Sequence, residues 1–145
     1  MKTMGLHKLT IVAPNLMSTP MTGQPPVFNP ENPQDFQLPE ESFILASGAA
    51  DVLHTAVIAA TLDEALADTT LACALTSRRR EITAPLQTPR ELVPELLQAA
   101  QRGEQVALVF GNETFGLSIE EVRACNRLMT INGNPDYFSL NLAQA

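Results

Sequence analysis

The sequence predicts an α/β fold in which helices cover a mainly parallel β-sheet. Two observations support this. Short apolar runs of strand length alternate with helical segments along the chain, as in βαβ units. Three of the helical segments also open with Ser or Thr followed three residues later by Glu, the signature of a capping box. The 145 residues are enough for one domain with a hydrophobic core, so we expect a single domain over residues 1–145.

The predicted strands lie at residues 9–13, 57–60, 71–76, 105–111 and 128–131. Most are rich in β-branched and aliphatic residues and are bounded by polar or glycine-containing segments. The run LACALT at 71–76 is almost unbroken in its apolar character. Such a strand is typical of a parallel sheet covered on both faces.

The predicted helices follow from their capping signals. Thr61 with Glu64, Thr88 with Glu91, and Ser118 with Glu121 form the three capping boxes, and they open helices over residues 61–67, 88–103 and 118–125. A short helix and a small-residue turn at 47–50 are expected within 42–53, and a further helix begins at residue 139.

Residues 14–39 differ from the rest of the chain, because seven of the eleven prolines lie there. Proline cannot donate to a ladder and disfavours helices, so this stretch predicts a long surface loop. It is interpreted as an insertion in the domain, either tolerated or functional.

Composition narrows the class of protein. The formal net charge of −7 argues against nonspecific binding of nucleic acid by the chain as a whole. No apolar run is long enough to cross a bilayer, and no secretory leader is visible, so a cytoplasmic location without membrane contact is expected. Cys73 and Cys125 lack a CxxC spacing and are predicted to be reduced core thiols.

Ligands of parallel sheets lie outside the carboxyl ends of the strands, which directs attention to the loops at 76–80, 111–116 and 132–139. Neither His7 nor His54 falls in these loops, and no metal-ligand cluster, dinucleotide fingerprint or P-loop occurs. The polar groups that remain are Glu113, Ser139 and Asn141, which suit positioning better than covalent catalysis.

Each of these features also has an ordinary structural interpretation. The glycines around Glu113 fit a strand-to-helix turn, and Ser139 fits an N-cap. The basic run at 78–80 could be a solvated loop or a phosphate contact.

Taken together, the peptides resemble a known family. LVFGNETFGL at 108–117, followed by Ile131 and NPDYFSLNLA at 134–143, is similar to the second and third motifs of the SpoU-type (SPOUT) RNA 2′-O-ribose methyltransferases. The wider pattern, including MKTMG at 1–5, GAADV at 48–52 and TLDEAL at 61–66, resembles the branch that modifies cytidine or uridine 32 of tRNA. The resemblance covers nearly all of the chain outside the proline-rich insertion.

This resemblance implies an S-adenosyl-L-methionine-dependent enzyme with a trefoil-knotted α/β fold, acting as a homodimer on tRNA without a metal. Glu113, Ser139 and Asn141 would be the motif polar residues that order the site and the ribose, and Arg78 and Arg80 would contact RNA. The implied cofactor contacts are Leu75, Thr76, Ser77, Gly111, Ile131, Phe138, Ser139 and Leu140.

The chain departs from the family pattern at both ends. In the family, an arginine of the first motif assists removal of the 2′-hydroxyl proton, and that position falls before Met1. The helix that completes the knot would continue past Ala145, and Asn132-Gly133 replaces a more usual proline-containing loop. We therefore expect weak cofactor binding and impaired catalysis from these 145 residues.

Two alternatives remain open at this point. The substrate could be ribosomal RNA, because the motifs specify chemistry and cofactor but not the RNA. The chain could also be a non-catalytic dimeric interaction module that binds a partner through its proline-rich loop.

Overall fold

A computed structural model describes residues 5–14, 27–76, 85–112 and 114–132. The chain divides into two compact units, Met1–Ala65 and Leu66–Ala145. Each unit contains parallel strands with helices, so the predicted α/β class is confirmed. Among the described residues, no helix has the length and apolar character needed to cross a membrane.

The first unit is built on a pair of parallel strands. Strand β1 (Thr10–Val12) pairs with β2 (Val57–Ala59), with Ile11 opposite Ile58. Helices α1 (Glu40–Leu45) and α2 (Ala50–His54) precede β2, and α3 (Leu62–Ala65) follows it and packs on both strands. The predicted helix and small-residue turn of 42–53 thus become two short helices joined at residues 46–49.

The described part of the proline-rich stretch is more ordered than predicted. A 3-10 helix spans Pro33–Asp35 and packs near β2. Phe36 is buried, and its ring lies edge-on to that of Phe28 with a centroid distance of 6.0 Å. Pro33 pre-sets the backbone angle of the turn, and the two rings bury apolar surface that offsets the loss of chain entropy. The described part of the predicted surface loop is thus mostly exposed, but Pro33 and Phe36 are buried.

The second unit contains a four-stranded parallel sheet. Its strands are β3 (Leu71–Leu75), β4 (Leu86–Gln87), β5 (Val106–Val109) and β6 (Arg127–Met129), in the spatial order β4-β6-β3-β5. Helices α4 (Pro89–Gln101) and α5 (Ile119–Ala124) connect them. Strand β4 was not predicted, because two residues are too few to produce a sequence pattern.

Strand β3 is the buried centre of this sheet. Cys73 and Ala74, which point to opposite faces, are both fully inaccessible to solvent. On one face, Leu71, Cys73 and Met129 form a core cluster with the inner residues of α4. Those inner residues are Leu92, Leu96 and Ala99. The prediction that this strand is covered on both faces is confirmed.

The capping boxes agree with the sequence at two of three positions. In the box of α5, Glu121 N–H donates to the Ser118 hydroxyl (3.1 Å), and Ser118 N–H donates to the Glu121 carboxylate (2.6 Å). At α4, the Glu91 carboxylate accepts from Thr88 N–H at 2.7 Å, and this bond lowers the pKa of Glu91.

The third box is shifted by one residue. The Thr61 hydroxyl accepts from Glu64 N–H (3.2 Å) as predicted, but the Glu64 carboxylate accepts from the N–H of Ala60 (2.9 Å) rather than from that of Thr61. Helix α3 has only four residues, so the carboxylate of Glu64 lies close to the end of β2, within hydrogen-bond distance of Ala60 N–H.

Asn126 joins the beginnings of β6 and β3. Its Oδ1 accepts from Ala72 N–H (3.0 Å), its Nδ2 donates to the Thr70 carbonyl (3.0 Å), and its own N–H donates to the Ala72 carbonyl (3.1 Å). Next to it, Arg127 forms an ion pair of 2.6 Å with Glu95 of α4, which lowers the pKa of Glu95. These contacts hold the register of β6 and attach α4 to the same end of the sheet.

Both cysteines are free and buried, as predicted. Burial raises the pKa of Cys73 from its ordinary value of 9.0 to about 11, with a smaller contribution from Cys125. Burial likewise raises the pKa of Cys125 to about 11. The thiols therefore keep their protons in the folded chain well into the alkaline range.

Replacing Asn126 tests the connection between β6 and β3. We expect Asn126→Ala to lower the free energy of unfolding by about 1–2 kcal/mol, because it removes two neutral hydrogen bonds to backbone groups. Asn126→Asp keeps the acceptor for Ala72 N–H but sets a carboxylate oxygen against the Thr70 carbonyl, so it should also lower the stability. Urea titration followed by circular dichroism measures both. Equal stability of the alanine variant and the wild type would contradict the assigned role.

The buried thiols predict a specific pH dependence of stability. Because the folded pKa values lie above the ordinary one, the native chain holds more protons than the unfolded chain between about pH 9 and pH 11. The stabilisation is complete below pH 9 and is lost as the pH rises through this window. Urea titrations at pH 8, 9, 10 and 11 should show a steeper loss for the wild type than for a Cys73→Ala/Cys125→Ala variant. Parallel profiles would contradict the prediction.

Candidate functional site

Three neighbouring strands of the second unit end at one edge of the sheet. Leu75 of β3 pairs with Met129 of β6, and Ala74 pairs with Val109 of β5. The ladder continues one step further, because Thr76 N–H donates to the Met129 carbonyl at 3.0 Å. Since adjacent parallel strands lie about 4.8 Å apart, the segments that leave β3, β5 and β6 emerge side by side. The predicted convergence of strand ends is therefore present.

Four of the predicted cofactor contacts lie at this edge. Leu75 and Thr76 end the central strand, Gly111 follows β5 by two residues, and Ile131 follows β6 by two residues. All four are half-buried, in contrast to the fully buried Cys73 and Ala74 deeper in β3. Half-burial at the rim of a core is what the wall of a ligand pocket requires.

The remaining predicted site residues lie outside the described residues. They are Ser77, Arg78, Arg80, Glu113, Phe138, Ser139, Leu140 and Asn141.

The segment after β5 folds back tightly on itself. Gly111 lies so close to the backbone of Gly116 and Leu117 that a Cβ at position 111 would be 2.7 Å from the Gly116 Cα and nearer still to the next two backbone atoms. Gly116 itself has a φ of +68°, a conformation that glycine adopts without strain. The two glycines of the predicted turn thus have separate reasons to be glycine: one gives close approach, the other a left-handed backbone.

Asn112 holds this turn together. Its Oδ1 accepts from the N–H groups of Thr114 (3.1 Å) and Phe115 (2.7 Å), and its carbonyl accepts from Gly116 N–H (2.9 Å). Sequence reasoning did not single out this residue. The signal that could have found it is an asparagine directly after a strand and a glycine, since asparagine hydrogen-bonds readily to the backbone two or three residues on.

Helix α5 begins immediately after the turn and anchors it. Leu117, the residue before the N-cap, is 5% exposed, and Val122 within the helix is 1% exposed. Both side chains therefore pack in the core. Ser118 lies between them as the N-cap. The turn is therefore held at one end by β5 and at the other by α5, which leaves its backbone little freedom.

The described part of this edge is neutral. Leu75, Thr76, Gly111 and Ile131 carry no ionisable group, and Thr76 supplies the one side-chain hydroxyl among them. Such a surface suits a ligand with an apolar body and hydrogen-bonding edges that backbone groups can recognise. A cationic centre on the ligand would meet no repelling charge from these four residues. They include no thiol, amine or carboxylate and no base that would activate the Thr76 hydroxyl, so positioning is the chemistry that they can supply.

Residues 30–145 match the SpoU rRNA Methylase family. The chain belongs to this family. The resemblance in the sequence motifs is thereby confirmed, and the sheet edge described above is part of a SpoU methylase fold.

Curated relatives of this SpoU methylase chain carry a more specific name. The chain is 38% identical over its whole length to the tRNA (cytidine/uridine-2′-O-)-methyltransferase TrmJ of Shigella dysenteriae and to that of Escherichia coli K12. It covers 51% and 50% of these proteins, respectively. The chain thus spans about half the length of the curated relatives that it matches.

Solved structures show the same fold. A methylase family protein from Neisseria gonorrhoeae is 87% identical, with a TM-score of 0.92 over 99% of this chain and 67% of that one. A methyltransferase from Bordetella pertussis is 39% identical, with a TM-score of 0.71 over 99% and 75%. TrmJ from Z. mobilis ZM4 is 30% identical, with a TM-score of 0.76 over 99% and 55%.

The close approach at Gly111 gives a direct test of the site. We expect Gly111→Ala to destabilise the chain by about 1–3 kcal/mol, because the added methyl group meets backbone atoms that cannot rotate away. It should also weaken binding of a ligand held at these strand ends, since the turn beside them must move. Chemical denaturation and calorimetric titration measure the two effects.

Gly103→Ala is the matched control for that substitution. Gly103 has a φ of +83°, and a Cβ there would meet open space. We expect a cost of about 1 kcal/mol from the left-handed backbone and unchanged ligand affinity. If the two variants had the same affinity for S-adenosylmethionine, Gly111 would have no part in the site.

Proposed function

We propose that this chain is the catalytic part of an S-adenosylmethionine-dependent tRNA 2′-O-methyltransferase that modifies the ribose of a cytidine or uridine, at position 32 of the anticodon loop. One observation carries the proposal above all others. The whole chain matches, at 38% identity, enzymes that are named for this reaction. The proposal includes a cytoplasmic location, since the tRNA that such an enzyme modifies is processed there.

The described edge of the sheet fits the cofactor chemically. Backbone groups of Leu75, Thr76, Gly111 and Ile131 would hold the adenosine and methionine parts, and their neutral side chains tolerate a sulfonium cation. When bound, S-adenosylmethionine supplies an electrophilic methyl group whose departure leaves a neutral thioether, so the leaving group needs no metal. The same set extends, as a proposal, to Ser77, Phe138, Ser139 and Leu140.

The contribution of the protein is alignment. The hydrogen bonds of Asn112 to Thr114, Phe115 and Gly116, together with the close approach of Gly111 to Gly116, keep one wall of the site in place without side-chain bulk. Holding the 2′-oxygen in line with the methyl group removes much of the entropic barrier. Glu113, Ser139 and Asn141 are proposed to order the ribose and to accept hydrogen bonds from its hydroxyl groups as the 2′-proton leaves.

Binding of the RNA requires positive charge that the chain as a whole lacks. Its net charge is −7, and the described Arg102 and Arg127 are each paired with a glutamate. We propose that Arg78 and Arg80 contact phosphates, and that a homodimer brings two such segments together. The trefoil knot implied by the family resemblance belongs to the same proposal.

Ribosomal RNA is a second candidate substrate, because the family to which the chain belongs is described as an rRNA methylase family. The cofactor and the reaction would be the same. The RNA alone distinguishes the two candidates, and a direct comparison of substrates decides between them.

The proposed function predicts both cofactor binding and substrate preference. Calorimetric titration with S-adenosylmethionine should show weak but saturable binding, and the residual methyl transfer from tritiated cofactor should favour unmodified tRNA over ribosomal RNA transcripts. Ser139→Ala and Asn141→Ala should each reduce methyl transfer by about 100-fold, the effect of losing alignment at the reacting oxygen.

Gln98→Ala, at an exposed position of α4, serves as the control for a general effect of substitution. A preference for ribosomal RNA would replace the tRNA proposal with the second candidate. Failure of the protein to bind S-adenosylmethionine at all would refute both.

A further inference from the structure

Phe115 is an exposed aromatic side chain on an otherwise tightly held turn. It is 66% exposed, compared with 39% for Phe110 and 8% for Phe36. Phe28 and Phe43 are half-buried, and their rings contact Phe36 and a histidine, respectively. Among the phenylalanines that the structure describes, Phe115 therefore leaves the most apolar surface in water. Contact with a binding partner would remove that surface from solvent.

The backbone at Phe115 is fixed rather than loose. Its N–H donates to Asn112 Oδ1 at 2.7 Å, and the next residue, Gly116, donates to the Asn112 carbonyl at 2.9 Å. On the other side of the turn, Gly111 contacts the backbone of Gly116. A ring on such a support loses little conformational entropy when it meets a flat partner, which favours binding.

The turn lies where the proposed reaction takes place. It leaves β5 at the edge of the sheet at which the neighbouring β3 ends in Thr76. The RNA that the proposed function places at this edge is the anticodon loop, a single-stranded segment whose unstacked bases can be turned outward and leave their faces uncovered. Unstacked bases stack on aromatic side chains, and this contact does not depend on the identity of the base.

Charge does not offer an alternative on this turn. Residues 111–117 contain no lysine or arginine, and Glu113 is the one ionisable residue among them. A phosphate would be repelled here rather than held, whereas a base face is uncharged. Asn112 and Thr114 can offer hydrogen bonds, and Phe115 is the residue of this turn that can offer stacking.

We infer that Phe115 stacks on an RNA base next to the ribose that is methylated, and that it positions the substrate at the cofactor edge. The inference rests on the proposed function, because it requires an RNA substrate at this site. It assigns a substrate contact to a residue whose role is otherwise unexplained by the packing of the turn.

Binding of an unmodified tRNA transcript measures the contribution of the ring. Phe115→Ala should weaken the affinity by about 5- to 150-fold, the range for loss of one base–aromatic stack. The slope of log affinity against log salt should stay the same, because no phosphate contact is removed. Phe115→Leu keeps an apolar side chain and should show a loss close to that of the alanine variant, whereas Phe115→Tyr should bind as the wild type does.

Fluorescence localises the contact. The chain contains no tryptophan, so Phe115→Trp introduces a single reporter at the turn, and its emission should be quenched when tRNA is added. Leu97→Trp is the matched control, because Leu97 is 57% exposed on α4, away from the turn. Its emission should remain unchanged.

The outcomes separate this inference from the proposed function. If the wild type binds S-adenosylmethionine and tRNA, but Phe115→Ala binds tRNA equally well and the tryptophan at 115 is not quenched, the stacking role is wrong and the proposed function stands. If the wild type binds neither, both are wrong. If the emission of Phe115→Trp responds to protein concentration and not to tRNA, a second copy of the chain covers the ring, and the inference is overturned.

Discussion

The hydrogen bonds of Asn126 are the constraint on which the site depends. Parallel strands have no tight turn to set their register, so the alignment of β6 with β3 must come from other contacts. One amide side chain satisfies the N–H of Ala72 and the carbonyl of Thr70, at the amino ends of the two strands. A slip of one residue in β6 would turn all of its side chains to the opposite face. It would also displace Thr130 and Ile131 from the edge of the sheet at which β3 ends.

The burial of β3 then keeps this register along the strand as far as its carboxyl end. Because Cys73 and Ala74 are both sealed from solvent, the central strand cannot shift without opening the core on one face or the other. The ladders to β5 and β6 therefore deliver three strand ends to one edge in a fixed arrangement. Cofactor recognition through backbone groups requires such fixed geometry, because a backbone amide cannot adjust as a long side chain can.

Sequence alone was sufficient for the features that repeat. Apolar runs of strand length and the spacing of Ser or Thr to Glu can be recognised in the sequence itself. They predicted five of the six strands that the structure describes and the helix starts at residues 61, 88 and 118. Features that depend on tertiary contact left no such pattern. Strand β4 is too short to show a pattern. Phe36 is buried where the 3-10 helix packs near β2 and its ring meets that of Phe28. The Glu64 carboxylate accepts from Ala60 N–H because of local geometry.

The candidate site divides in the same way. Leu75, Thr76, Gly111 and Ile131 followed from motif resemblance and lie at the strand ends, because the motifs coincide with elements whose position the sheet dictates. Asn112 was missed although it makes most of the hydrogen bonds of the turn. Its role depends on which backbone N–H groups lie within hydrogen-bond distance of its side chain in the folded loop, and a single sequence does not give those distances. The two glycines were identified as turn residues, but the close backbone approach at Gly111 emerged only in three dimensions.

The contacts of Asn126 also bear on the order in which the molecule is assembled during synthesis. The bond to Ala72 spans 54 residues of chain, so it cannot form until α4, β5 and α5 have all left the ribosome. Long-range contacts of this kind form slowly, because a large loop must close before they stabilise anything. The edge that holds Thr76, Gly111 and Ile131 is consequently among the last parts of the second unit to be completed, and until then β3 has no partner strand on its β6 side.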